Sequence, residues 1–118
     1  MKNNHIDYIE FPTLDIPAVK AFYSQCFGWS FTDYGPEYVS FENSGVTGGF
    51  RKTEGPVQDG VLIVLYHQDL EEILAQVKAL GGKITQGIFS FPGGRRFHFR
   101  DPGGNELAVW SEDPEQSG

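Results

Sequence analysis

Residues 15–28 read DIPAVKAFYSQCFG and residues 69–82 read DLEEILAQVKALGG. At an offset of 54, Asp15 falls on Asp69, Ile16 on Leu70, Val19 on Ile73, Ala21 on Ala75 and Gly28 on Gly82. Each stretch opens on a carboxylate that can cap a helix N-terminus. Each then carries apolar residues at helical spacing and closes on glycine, where a helix can end with positive φ. Two copies are too few for a solenoid, so the pair must fold as one object.

The flanking sequence completes each copy. Residues 6–11 (IDYIEF) alternate as a strand does, with Ile9 and Phe11 facing a core and Tyr8 and Glu10 on the opposite face. Asp15 is the expected N-cap, Pro17 falls in the tolerated first turn, and the helix runs to about Phe27. Its apolar stripe is Val19, Phe22, Tyr23 and Cys26. Strands are expected over Trp29–Tyr34, Glu37–Glu42 and Val46–Lys52, divided by Gly-Pro and Asn-Ser-Gly turns. After a connector at 53–60, Val61–Tyr66 is apolar on both faces and reads as a covered strand. Asp69 with Glu72 resembles a capping box, and Leu70, Ile73, Leu74, Val77 and Leu80 make the second helical stripe. Strands follow at about 83–90, 95–100 and 106–111. The expected fold is α+β: a single domain over 1–118, with βαβββ units at about 5–52 and 61–111 and a polar, frayed tail at 112–118. Curved mixed sheets would then enclose a cleft, with the helices outside.

Composition narrows the partners. A net charge of −7 supplies no basic face for nucleic acid or for an anionic membrane. No run is long enough to span a bilayer, and no N-terminal apolar stretch reads as a secretion signal, so a cytoplasmic protein is expected. The lone Cys26 cannot form an internal disulfide. It reads as a buried small hydrophobe, with a reactive thiol as the other reading.

Leu14-Asp15, Phe22-Tyr23 and Phe27-Gly28-Trp29 resemble the first unit of the vicinal oxygen chelate superfamily. That superfamily comprises the glyoxalase, bleomycin resistance and extradiol dioxygenase proteins. The run Phe99-Arg100-Asp101-Pro102-Gly103-Gly104-Asn105-Glu106-Leu107 is similar to its C-terminal signature, and the likeness spans residues 6–111. Read for itself, Asp101-Pro102-Gly103-Gly104 is strong turn chemistry that makes a rigid hairpin corner. The resemblance implies a divalent metal held by His, Gln and Glu. It places ligands at Tyr8 and Leu62, on the first strand of each copy, and at Ala108 on the last strand. The fourth would come from the last strand of the first copy, within VTGGFRK, which has no His, Asp or Glu. Leu and Ala have no lone pair to give, and a neutral Tyr is a poor ligand, so no metal and no cofactor are expected.

Strand parity picks the residues that would line the cleft. Phe97 and Phe99 face a helix, leaving Arg96 and His98 opposite; Glu106, Ala108 and Trp110 share one face of the last strand. The ligand-binding candidates are Tyr8, Glu10, Leu62, Arg96, His98, Glu106 and Trp110: mostly apolar walls with a few polar points. His98 is the candidate acid or base, with hydrogen bonding or ligand orientation as its other reading. His5 and His67 read as unrelated surface or loop residues. The leading function is metal-free binding of a small molecule. The alternatives are a metal-independent lyase or isomerase using His98 with Glu10 or Glu106, a metal enzyme with rearranged ligands, and an interaction module. The resemblance and the short chain imply a homodimer.

Overall fold

The computed structural model describes residues 1–54 and 60–112. Most of the expected connector at 53–60, and the expected tail from 113 on, lie outside the described residues. The elements run β1 (Ile6–Thr13), α1 (Ile16–Phe27), β2 (Ser30–Asp33), β3 (Tyr38–Glu42), β4 (Gly48–Lys52), β5 (Leu62–Tyr66), α2 (Leu70–Ala79), β6 (Lys83–Phe91), β7 (Gly94–Arg100) and β8 (Glu106–Glu112). The class is α+β, and the order is βαβββ twice.

The chain divides into two compact units: Tyr8–Leu62, and Met1–Asp7 with the residues from Ile63 on. In the first, the strand order is β2-β3-β4-β1. β1 runs parallel to β4, whereas β3 is antiparallel to both β4 and β2. The second unit repeats this topology as β6-β7-β8-β5, with β5 and β8 parallel.

Both helices start as their sequence dictates. Asp15 Oδ1 accepts from Ala18 N at 3.0 Å, and Asp69 Oδ1 accepts from Glu72 N at 3.1 Å. Each bond satisfies an amide that the first helical turn cannot. α1 ends at Gly28, whose φ of 75° suits a residue without Cβ. In the first unit, Ile16, Val39, Phe41 and Phe50 form the buried core, backed by Phe11, Val19, Tyr23, Trp29 and Phe31. In the second, Leu70, Phe97 and Val109 form it, backed by Ile73, Leu74, Val77, Ile84, Ile88 and Phe99 among others. Phe97 has no exposed surface at all, so its burial contributes on the order of 2–3 kcal/mol.

Three expected core positions are corrected. Phe22 is 53% exposed and Cys26 is exposed, so the inward stripe of α1 is Ile16, Val19 and Tyr23. The Tyr23 ring stacks on Trp29 at 4.6 Å and lies 5.4 Å from Phe50, filling the space under the end of the helix. Leu80 is 80% exposed. It caps α2 instead of belonging to it, and the chain leaves through Gly81 at φ 101°. Leu80 itself has left helical backbone geometry, at φ −101° and ψ 13°.

Candidate functional site

In the second unit the hydrogen-bonded register aligns side chains in rows across the sheet. One row is Phe89 on β6, Arg96 on β7, Trp110 on β8 and Tyr66 on β5. The next is Gln86, His98, Ala108 and Val64. Directly opposed residues share a face, so these rows lie on the side away from the Phe97 and α2 core. Arg100 opposes Glu106 further along.

Glu106 gathers the polar groups of this face. Its Oε2 accepts from Thr85 Oγ1 at 3.1 Å and lies 3.3 Å from His98 Nδ1, while Oε1 is 3.6 Å from Arg100. An ionised carboxylate only accepts, so in this pair His98 donates from Nδ1. His98 is buried, with the Phe89 ring 5.8 Å away. The Arg96 guanidinium lies over the rings of Phe89 and Phe91, 5.5 and 5.7 Å from their centroids. Trp110 is fixed by an Nε1 bond to Asp7 Oδ2 at 3.0 Å and by an edge contact with Tyr66. Tyr66 donates to Glu112. Burial and this carboxylate push the Tyr66 hydroxyl up to about 12, so it stays a neutral donor.

On the α2 side of the same sheet lies an apolar pocket of about 120 Å³, bordered by Leu65, Ile73, Val77, Phe99 and Val109. None of the expected site residues lines it. His67 borders it and accepts from the Asp69 amide at 2.9 Å, a helix-start role consistent with a loop histidine.

The first unit holds a separate polar group. Tyr8 and Tyr38 share a hydroxyl hydrogen bond of 2.5 Å. Glu10, only 4% exposed, lies 3.4 Å from Arg51 Nε. Burial, then the Glu10 charge, raises the Tyr38 hydroxyl well above its ordinary value, so it too remains protonated. Gly49 makes this arrangement possible. A Cβ there would stand 2.7 Å from both tyrosine oxygens and from the Val39 carbonyl.

Register also locates the fourth position at which the family resemblance places a ligand. Ala108 pairs with Val64, two residues past Leu62. The equivalent partner of Glu10, two residues past Tyr8, is Gly49. The four positions are therefore Tyr8, Gly49, Leu62 and Ala108. Three have no donor atom, and the fourth is a phenol already bonded to Tyr38. Among the described residues, no three of His, Cys, Asp and Glu gather closely enough to hold an ion. The residues present do not fit the divalent metal of the superfamily.

Of the expected site residues, Tyr8 and Glu10 stand in the first unit, and Arg96, His98, Glu106 and Trp110 in the second; Leu62 opens β5. Sequence reasoning missed Tyr38, Arg51, Thr85, Phe89 and Phe91. Alternation within β6 holds the signal for Phe89 and Phe91: Ile84 and Ile88 both back the core, and the register shifts on either side of Gln86 displace only that residue, setting it opposite His98.

Comparison with known proteins agrees with this architecture. The sequence model of the Glyoxalase/Bleomycin resistance protein/Dioxygenase superfamily matches residues 5–109. The chain belongs to this superfamily. A superfamily member from Vibrio splendidus 12B01 is similar in fold, with a TM-score of 0.69 and 20% identity over 89% of this chain and 97% of that one. The Mn(II)-bound glyoxalase from Novosphingobium aromaticivorans gives 0.69 and 24%, over 93% of this chain but 39% of the larger protein. Methylmalonyl-CoA epimerase from Mycobacterium tuberculosis gives 0.68 at 11% identity, over 99% and 96%. No curated protein matches. At these identities the superfamily fold is shared, while the chemistry at each position must be read from this chain. Among the described residues, no helix is long and apolar enough to cross a membrane.

Proposed function

We propose that this superfamily member binds a small organic molecule without a divalent ion, on the sheet face of its second unit that carries Arg96, His98, Glu106 and Trp110. The observation that carries the reading is the buried His98 held by Glu106 at 3.3 Å within an apolar wall of Val64, Ala108 and Phe89. A few oriented polar groups in an otherwise apolar setting are what fixes a ligand. The mechanism is sequestration or sensing: the ligand leaves unchanged. The protein works as a homodimer in the cytoplasm, where a single cysteine needs no oxidising environment.

A thermal-shift panel of small organic acids, alcohols, amides and aromatics tests this, run with and without a chelator. Binders stabilise the native state in proportion to concentration. His98→Ala should weaken a hit by about 1–3 kcal/mol, through a ligand group left buried and unpaired. No hit, or hits that require added metal, would overturn the reading.

The same histidine supports a second reading, a metal-independent lyase or isomerase. An imidazole held at Nδ1 by a carboxylate is the arrangement that orients histidine for proton transfer. Glu106, which touches His98, fits the orienting role; Glu10 is engaged by Arg51. Turnover of a hit, lost in both His98→Ala and Glu106→Gln, would establish this reading over simple binding.

A further inference from the structure

We infer that the apolar pocket of about 120 Å³ on the α2 side of the second unit is a separate binding site, for a small uncharged molecule with an apolar ring and one hydrogen-bond acceptor. Val109 borders it, whereas Ala108 and Trp110 on either side alternate to the opposite face of β8. The inference is therefore independent of the binding reading above.

The walls come from the core of this unit. Ile73 and Val77 stand one turn apart on α2, Leu65 pairs with Val109 across β5 and β8, and Phe99 comes from β7. Protein interiors are close-packed, so a gap among such residues needs something to hold it open. Ile73 and Val77 are β-branched and keep one preferred rotamer in a helix. Val77 is also wedged from behind. Gly82 N donates to its carbonyl at 2.8 Å, and a Cβ at Gly82 would stand 2.4 Å from Val77 Cγ1. Neither side chain fills the gap without leaving its rotamer. The border is fixed as well. Asn4 N donates to Tyr66 O at 2.8 Å, and Asn3 Oδ1 accepts from Gln68 N at 2.9 Å. These bonds tie Asn4, at a φ of 69° that asparagine tolerates, to the end of β5 beside His67. A pocket held in this way is formed before any guest arrives.

Size, wall chemistry and border chemistry each name a property of the guest. An apolar cavity of about 150 Å³ takes up benzene or xenon, so this one admits a single small ring. The five wall side chains have no hydrogen-bonding atom. A charged guest would lose its hydration there and gain no partner, and a water molecule would find few. Leu65, Ile73, Val77 and Phe99 are only half-buried, so an apolar guest removes their remaining surface, and its own, from water. The polar contribution comes from His67 at the border. Its Nδ1 accepts from the Asp69 amide at 2.9 Å, so the ring proton sits on Nε2. That N–H is a donor, and it selects a guest with an acceptor such as a carbonyl oxygen.

The test titrates cyclopentane, cyclopentanone and cyclopentylammonium against the full methyl-labelled chain by NMR: one ring bearing nothing, an acceptor or a full charge. Cyclopentane and cyclopentanone should bind saturably, with shifts centred on the methyls of Leu65, Ile73, Val77 and Val109. Cyclopentylammonium should bind about tenfold more weakly or worse. Ile73→Phe fills the pocket and should abolish binding of both uncharged probes, with circular dichroism confirming the fold. If that variant does not fold, Leu65→Phe blocks the same space from the sheet side. His67→Leu removes the donor and should weaken cyclopentanone about fivefold while leaving cyclopentane unchanged. No saturable shift at these methyls in the wild-type protein overturns the site, as does binding that survives in a folded Ile73→Phe or Leu65→Phe protein. Equal binding of the charged probe overturns the uncharged class, and an unchanged cyclopentanone affinity in His67→Leu overturns the acceptor. Shifts centred on Val64 and Ala108 instead would put the probes on the opposite face, which overturns this site and supports the binding reading above.

Discussion

Gly49→Ala tests whether the Tyr8–Tyr38 pair is built around a missing side chain. The new Cβ would stand 2.7 Å from the Tyr8 hydroxyl, the Tyr38 hydroxyl and the Val39 carbonyl. The two hydroxyls can swing aside only by giving up their 2.5 Å hydrogen bond. The carbonyl belongs to β3, which is laddered to β4 on one side and β2 on the other, so it has little room to move. Overpacking of this kind costs about 1–3 kcal/mol, and the lost hydrogen bond about 1 more, for a total of about 2–4 kcal/mol. For a domain of this length that is a fall of roughly 10–15 °C in melting temperature. Thermal and urea unfolding followed by circular dichroism would measure it. In a Tyr8→Phe/Tyr38→Phe background the hydroxyls are gone, and the same Gly49→Ala change should cost about 1 kcal/mol less, a coupling that a double-mutant cycle reads directly. A Gly49→Ala protein that melts with the wild type would refute the argument, as would equal costs in the two backgrounds.

Phe97→Ala should cost about 3–5 kcal/mol by urea denaturation, because Phe97 is fully buried between α2 and the sheet. Arg95 lowers the Glu71 carboxyl and the Asn105 amide lowers that of Asp101, so each favours the folded state above its unfolded value and loses that contribution as pH falls through its folded value. The urea midpoint should therefore decline as pH falls below the ordinary carboxylate range of about 4, and Asp101→Asn should remove part of that decline. Elemental analysis of untagged protein should find no stoichiometric Ni, Zn, Fe or Mn, given Tyr8, Gly49, Leu62 and Ala108 at the ligand positions. Light scattering at micromolar concentration should give twice the 13.2 kDa chain mass, since the chain is short and leaves Phe22 and Phe27 exposed.

The sequence carried the elements because their signals are local. Asp15, Gly28 and Asp69 act through their own backbone neighbourhoods, so the helix ends could be read one residue at a time. Cys26 and Leu80 could not be read this way. Both fit a helical period, yet their exposure depends on what the rest of the chain brings beneath them: Tyr23 on Trp29 in one case, the Gly81 exit in the other. Periodicity says which way a residue points, and packing decides whether anything meets it.

The candidate site divides along the same line. Period-two alternation separates Phe97 from His98 and Val109 from Trp110, so Arg96, His98, Glu106 and Trp110 were legible as one face from their numbers alone. Their partners on β6 were not. Counting on by twos from Gln86 opposite His98 sets Ile88 against Arg96; the fold sets Phe89 there. Register shifts fall on both sides of Gln86, so alternation fails at that residue and is restored beyond it, where Ile88 returns to the core side with Ile84. Gly87 stands within the shifted stretch, with open space where a Cβ would be. A lone glycine inside an alternating strand is a known mark of a bulge. It marks the place where the alternation of β6 is interrupted beside Gln86, the partner of His98.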